Sequence, residues 1–146
     1  MDRIEDKFLS NYCKHVLKAR IKVLKFDFKK YSWYWDYPAA ISVCYDKSKS
    51  LHKNGYAHDP SGTHWHEVLR KKLNRLGEIG SHPSKCETRY IVGQCAEQHS
   101  GNNFMNAYNE KDLHSLYFSV TIRPRTGQIL KSCANCKFVF PNLNEK

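Results

Sequence analysis

The stretch LYFSVTIRPRTGQILKSCANC, residues 116–136, decides the fold. Leu116, Phe118, Val120 and Ile122 alternate with more polar neighbours, the period of a strand with one apolar face. Pro124 ends that strand, because proline has no N–H to give to a ladder. RTGQ supplies turn residues. The chain then enters Cys133-Ala134-Asn135-Cys136, a helical turn or short helix opening near Ser132. A Cys-x-x-Cys pair puts two sulfurs on one turn, which suits a metal or redox pair. Two thiols do not complete a tetrahedral site, so another element has to supply the rest.

That element is VGQCAEQHSGNNFMNA, residues 92–107. A helix is expected over 95–108, with Cys95 at its start and Glu97 and His99 close behind. Two helix N-termini aimed at one metal make physical sense, because their positive dipole ends favour thiolates. Two versions of the site follow. In the closed version His99, one turn after Cys95, completes a structural Cys₃His site. In the open version Cys95, Cys133 and Cys136 hold the metal and the fourth position is left to water. Glu97 then serves as general base and, once protonated, as general acid.

Working outward, AAISVCYD (39–46) reads as a buried strand and SLHKNGYA (50–57) as its hairpin partner. THWHEVLRKKLNRLGE (63–78) carries an apolar stripe of Trp65, Val68, Leu69, Leu73 and Leu76. Thr63 is its expected N-cap, and Gly77 or Gly80 its end. His64 and His66 frame Trp65, but alternate residues on a helix diverge by about 200° and make a poor chelate. Residues 4–25 have helical periodicity through Ile4, Phe8, Leu9, Val16, Leu17 and Leu24. An aromatic run, YSWYWDY (31–37), follows, and core packing accounts for most of it.

The 146 residues fit one domain spanning 1–146, with a core at about 39–140. The hydrophobic fraction of 40% marks a globular chain and excludes a disordered one. No apolar run approaches about eighteen residues, so no membrane span is expected. The N-terminal MDRIEDKFLSNYC lacks the apolar core of a signal peptide. A net charge of +10 favours a polyanionic partner, foremost nucleic acid. Of the six cysteines, Cys13 and Cys44 sit in apolar surroundings and read as small core residues.

Cys-Ala-Glu at 95–97, then a strand, then Cys-x-x-Cys at 133–136 resembles the zinc-dependent cytidine deaminase superfamily. The glycine ahead of Cys-Ala-Glu, the asparagine within Cys-x-Asn-Cys and the Thr-Gly turn are similar to its toxin-type, YwqJ-like branch. The resemblance covers about residues 39–140. It implies an α/β fold: a three-layer sandwich with a small mixed sheet and helices on both faces. It implies Zn2+ on Cys95, Cys133 and Cys136, with Glu97 as the proton shuttle. Backbone N–H groups near Ala96 and Cys133 would stabilise developing charge.

The family usually has a proline where this chain has Ser132, and serine caps a helix as well as proline starts one. Ten residues follow Cys136, which leaves no room for both final strands of the fuller family sheet. The implied activity is conversion of cytosine to uracil in a polynucleotide, DNA favoured over RNA, on a single strand or a flipped-out base. Asn54, His99, Trp33 and Trp35 are candidate substrate contacts. A monomer is expected. The resemblance also implies a toxin effector acting inside a cell, delivered as the C-terminal domain of a longer secreted protein, with an immunity protein as partner. The rivals are a free cytidine or nucleotide deaminase, and a zinc-stabilised nucleic-acid-binding module without catalysis.

Overall fold

The computed structural model describes residues 39–48, 50–83, 90–123 and 128–145. The expected helix over 4–25 and the aromatic run with Trp33 and Trp35 lie outside them, as do Cys13 and Cys86. The run ISVCY forms β1 (Ile41–Tyr45), and every residue of it is buried. Burial of both alternating sets marks a central strand, not an edge. On one side β1 pairs antiparallel with β2 (His52–Tyr56), from Ile41 opposite Tyr56 to Tyr45 opposite His52. Asp46 holds the hairpin turn: its carboxylate accepts from the Leu51 N–H at 3.1 Å and the Ser48 hydroxyl at 2.6 Å.

On its other side β1 meets β3 (Tyr117–Phe118) and β4 (Thr121–Ile122). Strand β5 (Ile129–Leu130) continues the sheet beyond β4. Among the described residues all pairings are antiparallel, so the expected mixed sheet is corrected to an antiparallel one. Short connections join β1 to β2 and β4 to β5, and a short connection permits only antiparallel pairing.

The expected single strand over 116–122 is broken by a bulge. Cys44 pairs with Phe118, but Ile41 pairs with Ile122. Two residues on β1, Ser42 and Val43, therefore span the same length as three, Ser119, Val120 and Thr121. The ladder is patched there by a side chain: Ser119 Oγ accepts the Val43 N–H at 2.9 Å. One extra residue reverses which face each later side chain takes. Leu116 and Phe118 join the core that contains Cys44, whereas Val120 and Ile122 pack with Ile41.

Helix α1 (Glu67–Leu76) starts four residues after the expected cap. His66 is the N-cap, its Nδ1 accepting the Val68 N–H at 3.2 Å. Thr63 loses that role because the segment before the helix is held from outside. Asn102 and Asn106 each donate to the His64 carbonyl at 2.9 Å, and Asn102 Oδ1 accepts the His66 N–H at 2.8 Å. Leu69, Leu73 and Leu76 fill the core as the stripe requires.

Helix α2 (Ala96–Tyr108) lies across β1 and β2 and begins within a residue of its expected start. Its Ser100 hydroxyl meets that of Ser42 at 3.0 Å. Helix α3 (Ala134–Val139) completes the core with Cys136 and Val139, and Phe140 just beyond it meets Phe118 in a tilted ring contact at 4.5 Å. The fold is thus α/β, with three helices sharing one core with the Cys44 face of the sheet. On the other face Ile41 and Ile122 pack with Val120, and among the described residues no helix joins that cluster, so the three-layer sandwich is not shown.

The tightest contact is at Gly55. A Cβ there would overlap the Ser100 backbone nitrogen and stand 2.6 Å from the carbonyl carbon of His99. Gly55→Ala is expected to lift α2 off the hairpin and cost about 1–3 kcal/mol, as overpacking does, read as a lower unfolding midpoint.

Candidate metal centre

Cys95 and Cys133 are the N-cap residues of α2 and α3, both extended (φ −69°, ψ 149° and φ −77°, ψ 167°). Helix α3 therefore opens one residue later than expected from Ser132. Neither thiol caps its own helix. They face each other instead. Cys95 Sγ lies 3.2 Å from Cys133 Sγ, which lies 3.6 Å from Cys136 Sγ, and all three sulfurs fall within 4.8 Å of one another. All three are free thiols. A tetrahedral ion with bonds of about 2.3 Å to sulfur holds its thiolates about 3.8 Å apart, so this donor set fits one. Soft sulfur donors select thiophilic ions such as zinc over magnesium or calcium.

The cluster is anchored by Gln98. This buried side chain accepts the Gly93 N–H at 2.7 Å and donates to Cys136 Sγ at 3.6 Å. One amide thus ties together the connector, α2 and α3. Gly93 takes φ +90°, and a Cβ there would crowd Pro60, Ile79 and Trp65. Asn135, also buried, donates to the Tyr90 carbonyl at 3.2 Å.

Charge is unevenly shared among the thiols. Hydrogen bonds from Cys136, then Cys95, hold Cys133 down to about 3, with backbone N–H groups of α3 adding to the effect. Cys95 is pushed up, chiefly by donating to Cys133. Cys136 is pushed up by its burial. Three thiols in mutual hydrogen-bond contact form a chelate that gives up its protons on binding a cation.

Glu97 follows one residue into α2 and is only 3% exposed. Its Oε1 accepts the Thr121 hydroxyl at 2.8 Å. Glu97, Ala96, Thr121, Cys95 and Cys133 all line one cavity of about 440 Å³. Tyr90, Arg123, Gln128 and Lys131 line the same cavity. As the first residue of α2, Ala96 carries an amide with no partner inside the helix.

His99 is not part of this cluster or this cavity. Its ring stacks on His58 at 3.7 Å and leans on Trp65 at 5.1 Å. Burial, then the His58 charge, lowers it to about 4, so it is neutral at pH 7. Among the described residues His99 does not join the cysteines in a Cys₃His arrangement, and the three thiols are the candidate ligands. Asn54 lies in β2, where its carbonyl accepts from Asn103 at 3.0 Å, and it does not line the cavity. Sequence reasoning missed Gln98, whose signal was its place one turn after Cys95. It also missed Thr121, whose orientation depends on the bulge.

In comparison with known proteins, no family model matches the chain, and no curated protein or solved structure does either. No described helix is long and apolar enough to cross a membrane.

Two outcomes follow from this geometry. Cobalt(II) added to the metal-free protein should bind one ion per chain and give thiolate charge-transfer absorption. Cys133→Ser or Cys136→Ser should abolish that signal, and His99→Ala should leave it. Separately, a histidine depressed from 6.5 to about 4 in the fold adds stability that is full above pH 6.5. That contribution, of order 3 kcal/mol, drains away as pH falls from 6.5 towards 4. Urea midpoints across that window should flatten in His99→Phe.

Proposed function

We propose that the protein is a zinc-dependent hydrolytic deaminase that converts cytosine to uracil in a polynucleotide, DNA favoured. The observation that carries this reading is a shared wall. Two of the three clustered cysteines and the buried Glu97 line one cavity. An open fourth position and an adjacent carboxylate are what a hydrolytic centre needs, and a purely structural zinc site would be closed. Zinc on Cys95, Cys133 and Cys136 would supply Lewis acidity and make water acidic enough to lose a proton near neutrality.

The chain's own residues do the rest. Glu97 accepts a proton from the attacking water and delivers it to the ring nitrogen beside the amine-bearing carbon. It then carries a second proton to the amine, which leaves as ammonia, so cytosine and water become uracil and ammonia. The Ala96 amide is available to developing negative charge. The cavity's 440 Å³ lies within the roughly 300–1,000 Å³ usual for small-molecule sites, enough for one nucleotide but not a duplex. The base therefore comes from a single strand or is flipped out.

The cavity wall also supports a polymer substrate. Arg123 and Lys131 are exposed cations on it, and Tyr90 offers a ring on which a base can stack. The net charge of +10 points the same way. A toxin effector role with an immunity partner belongs to this reading through the resemblance alone.

Zinc-loaded protein is expected to leave uracil in single-stranded DNA, detected by uracil excision and strand cleavage. Glu97→Gln should keep its metal and lose at least about 100-fold in rate. Activity on cytidine but on no polymer would favour the free-nucleotide reading. No uracil in any DNA or RNA, with zinc bound, overturns deamination of nucleic acid.

A further inference from the structure

We infer that Thr121 is the positioning residue for Glu97, and that the bulge at Ser119–Thr121 exists in this fold to aim it. The inference rests on Glu97 being the proton shuttle proposed above, but its geometry stands independently. The register settles the aim. Before the bulge Cys44 pairs with Phe118, and both belong to the core beneath α2. If that register ran on, Thr121 would stand opposite Ile41 and share its face, away from α2. The extra residue puts Ile122 opposite Ile41 instead. Thr121 is thereby turned to the face of Ser42, which meets α2 through Ser100. There its hydroxyl reaches Glu97 Oε1 at 2.8 Å.

Side-chain periodicity supports the pairing from the helix side. Glu97 and Ser100 are three residues apart, so both look down on the sheet. Each meets a hydroxyl there, Thr121 for Glu97 and Ser42 for Ser100. Thr121 is itself fixed: it is 4% exposed, paired with Leu130 in the ladder and β-branched, which restricts its rotamers. A stiff donor on a strand locks the carboxylate of a residue in the first turn of a helix.

The consequence is a division of labour between two oxygens. Oε1 is taken by Thr121, and no described residue hydrogen-bonds Oε2. Oε2 is then the atom that carries the proton. Thr121 contributes no proton itself and holds no metal. Losing its hydroxyl leaves the carboxylate free to rotate, so turnover falls while substrate binding stays near normal.

Three variants test this. Thr121→Val should lower kcat about 10- to 100-fold with little change in KM or zinc content, as loss of a supporting hydrogen bond does. Thr121→Ser, which keeps the hydroxyl, should recover most of the rate. A readout independent of activity is a double-mutant cycle on the unfolding midpoint. Thr121→Val should lower it in the native background, and by much less in Glu97→Ala. Wild-type kcat in Thr121→Val, with Glu97→Gln inactive, overturns the role of Thr121 and spares the deaminase reading. Additive midpoints would overturn the pairing itself. Full activity in Glu97→Gln would overturn the proton-shuttle reading, whatever the midpoint cycle gives.

Discussion

Helix α2 rests directly on the backbone of the hairpin, and most of the structure depends on that closeness. It is possible because position 55 has no side chain and because small hydroxyls replace bulky groups between helix and sheet. The contact is graded along the helix. Glu97 and Ser100 at its start meet hydroxyls of the sheet, while Phe104 and Met105 further on enter the apolar core. Glu97 Oε1 and the Ser100 hydroxyl can be buried there because each finds a partner. The apolar end supplies the stabilisation that keeps the polar end in register.

The polar end concentrates groups of one sign. The hydrogen bond with Cys133 raises the proton affinity of Cys95, and burial raises that of Cys136, with Glu97 adding a smaller push to both. Burying negative groups together is unfavourable unless they are protonated or neutralised. Thiol protons shared along the Cys95–Cys133–Cys136 contacts serve that purpose. A divalent cation would do so more completely and would convert mutual repulsion into shared attraction. The same ion would link α2 to α3, so its binding would also be folding energy.

The sequence made much of this legible, because cysteine spacing and strand periodicity are local signals with few alternatives. Cys95, Cys133 and Cys136 come together, and β1, β2 and α2 lie where the pattern placed them. Three features were hidden by contacts between distant segments. Thr63 has the chemistry of a cap, but asparagines of α2 capture the backbone ahead of α1. His99 looks like a neighbour of Cys95 on a helical wheel. Cys95, however, is an extended cap residue, so its thiol does not follow the helical face that His99 occupies. The alternation over 116–122 gives no sign of an inserted residue. Only the pairing with β1 exposes it.

That inserted residue has a consequence for how this chain can vary. Side-chain direction along a strand has a phase, and the bulge is where the phase is reset. Pairing this segment with β1 straight through, without the bulge, would act like a frameshift written in three dimensions. Everything up to Phe118 would keep its orientation, and Thr121 and Ile122 would exchange faces. A carboxylate of α2 would then look down on an isoleucine. The hairpin turn at 46–51 has no such burden, because both strands it joins are read before the reset. A change of length there leaves the phase of β4 and the aim of Thr121 untouched, whereas a slip of register at the bulge does not.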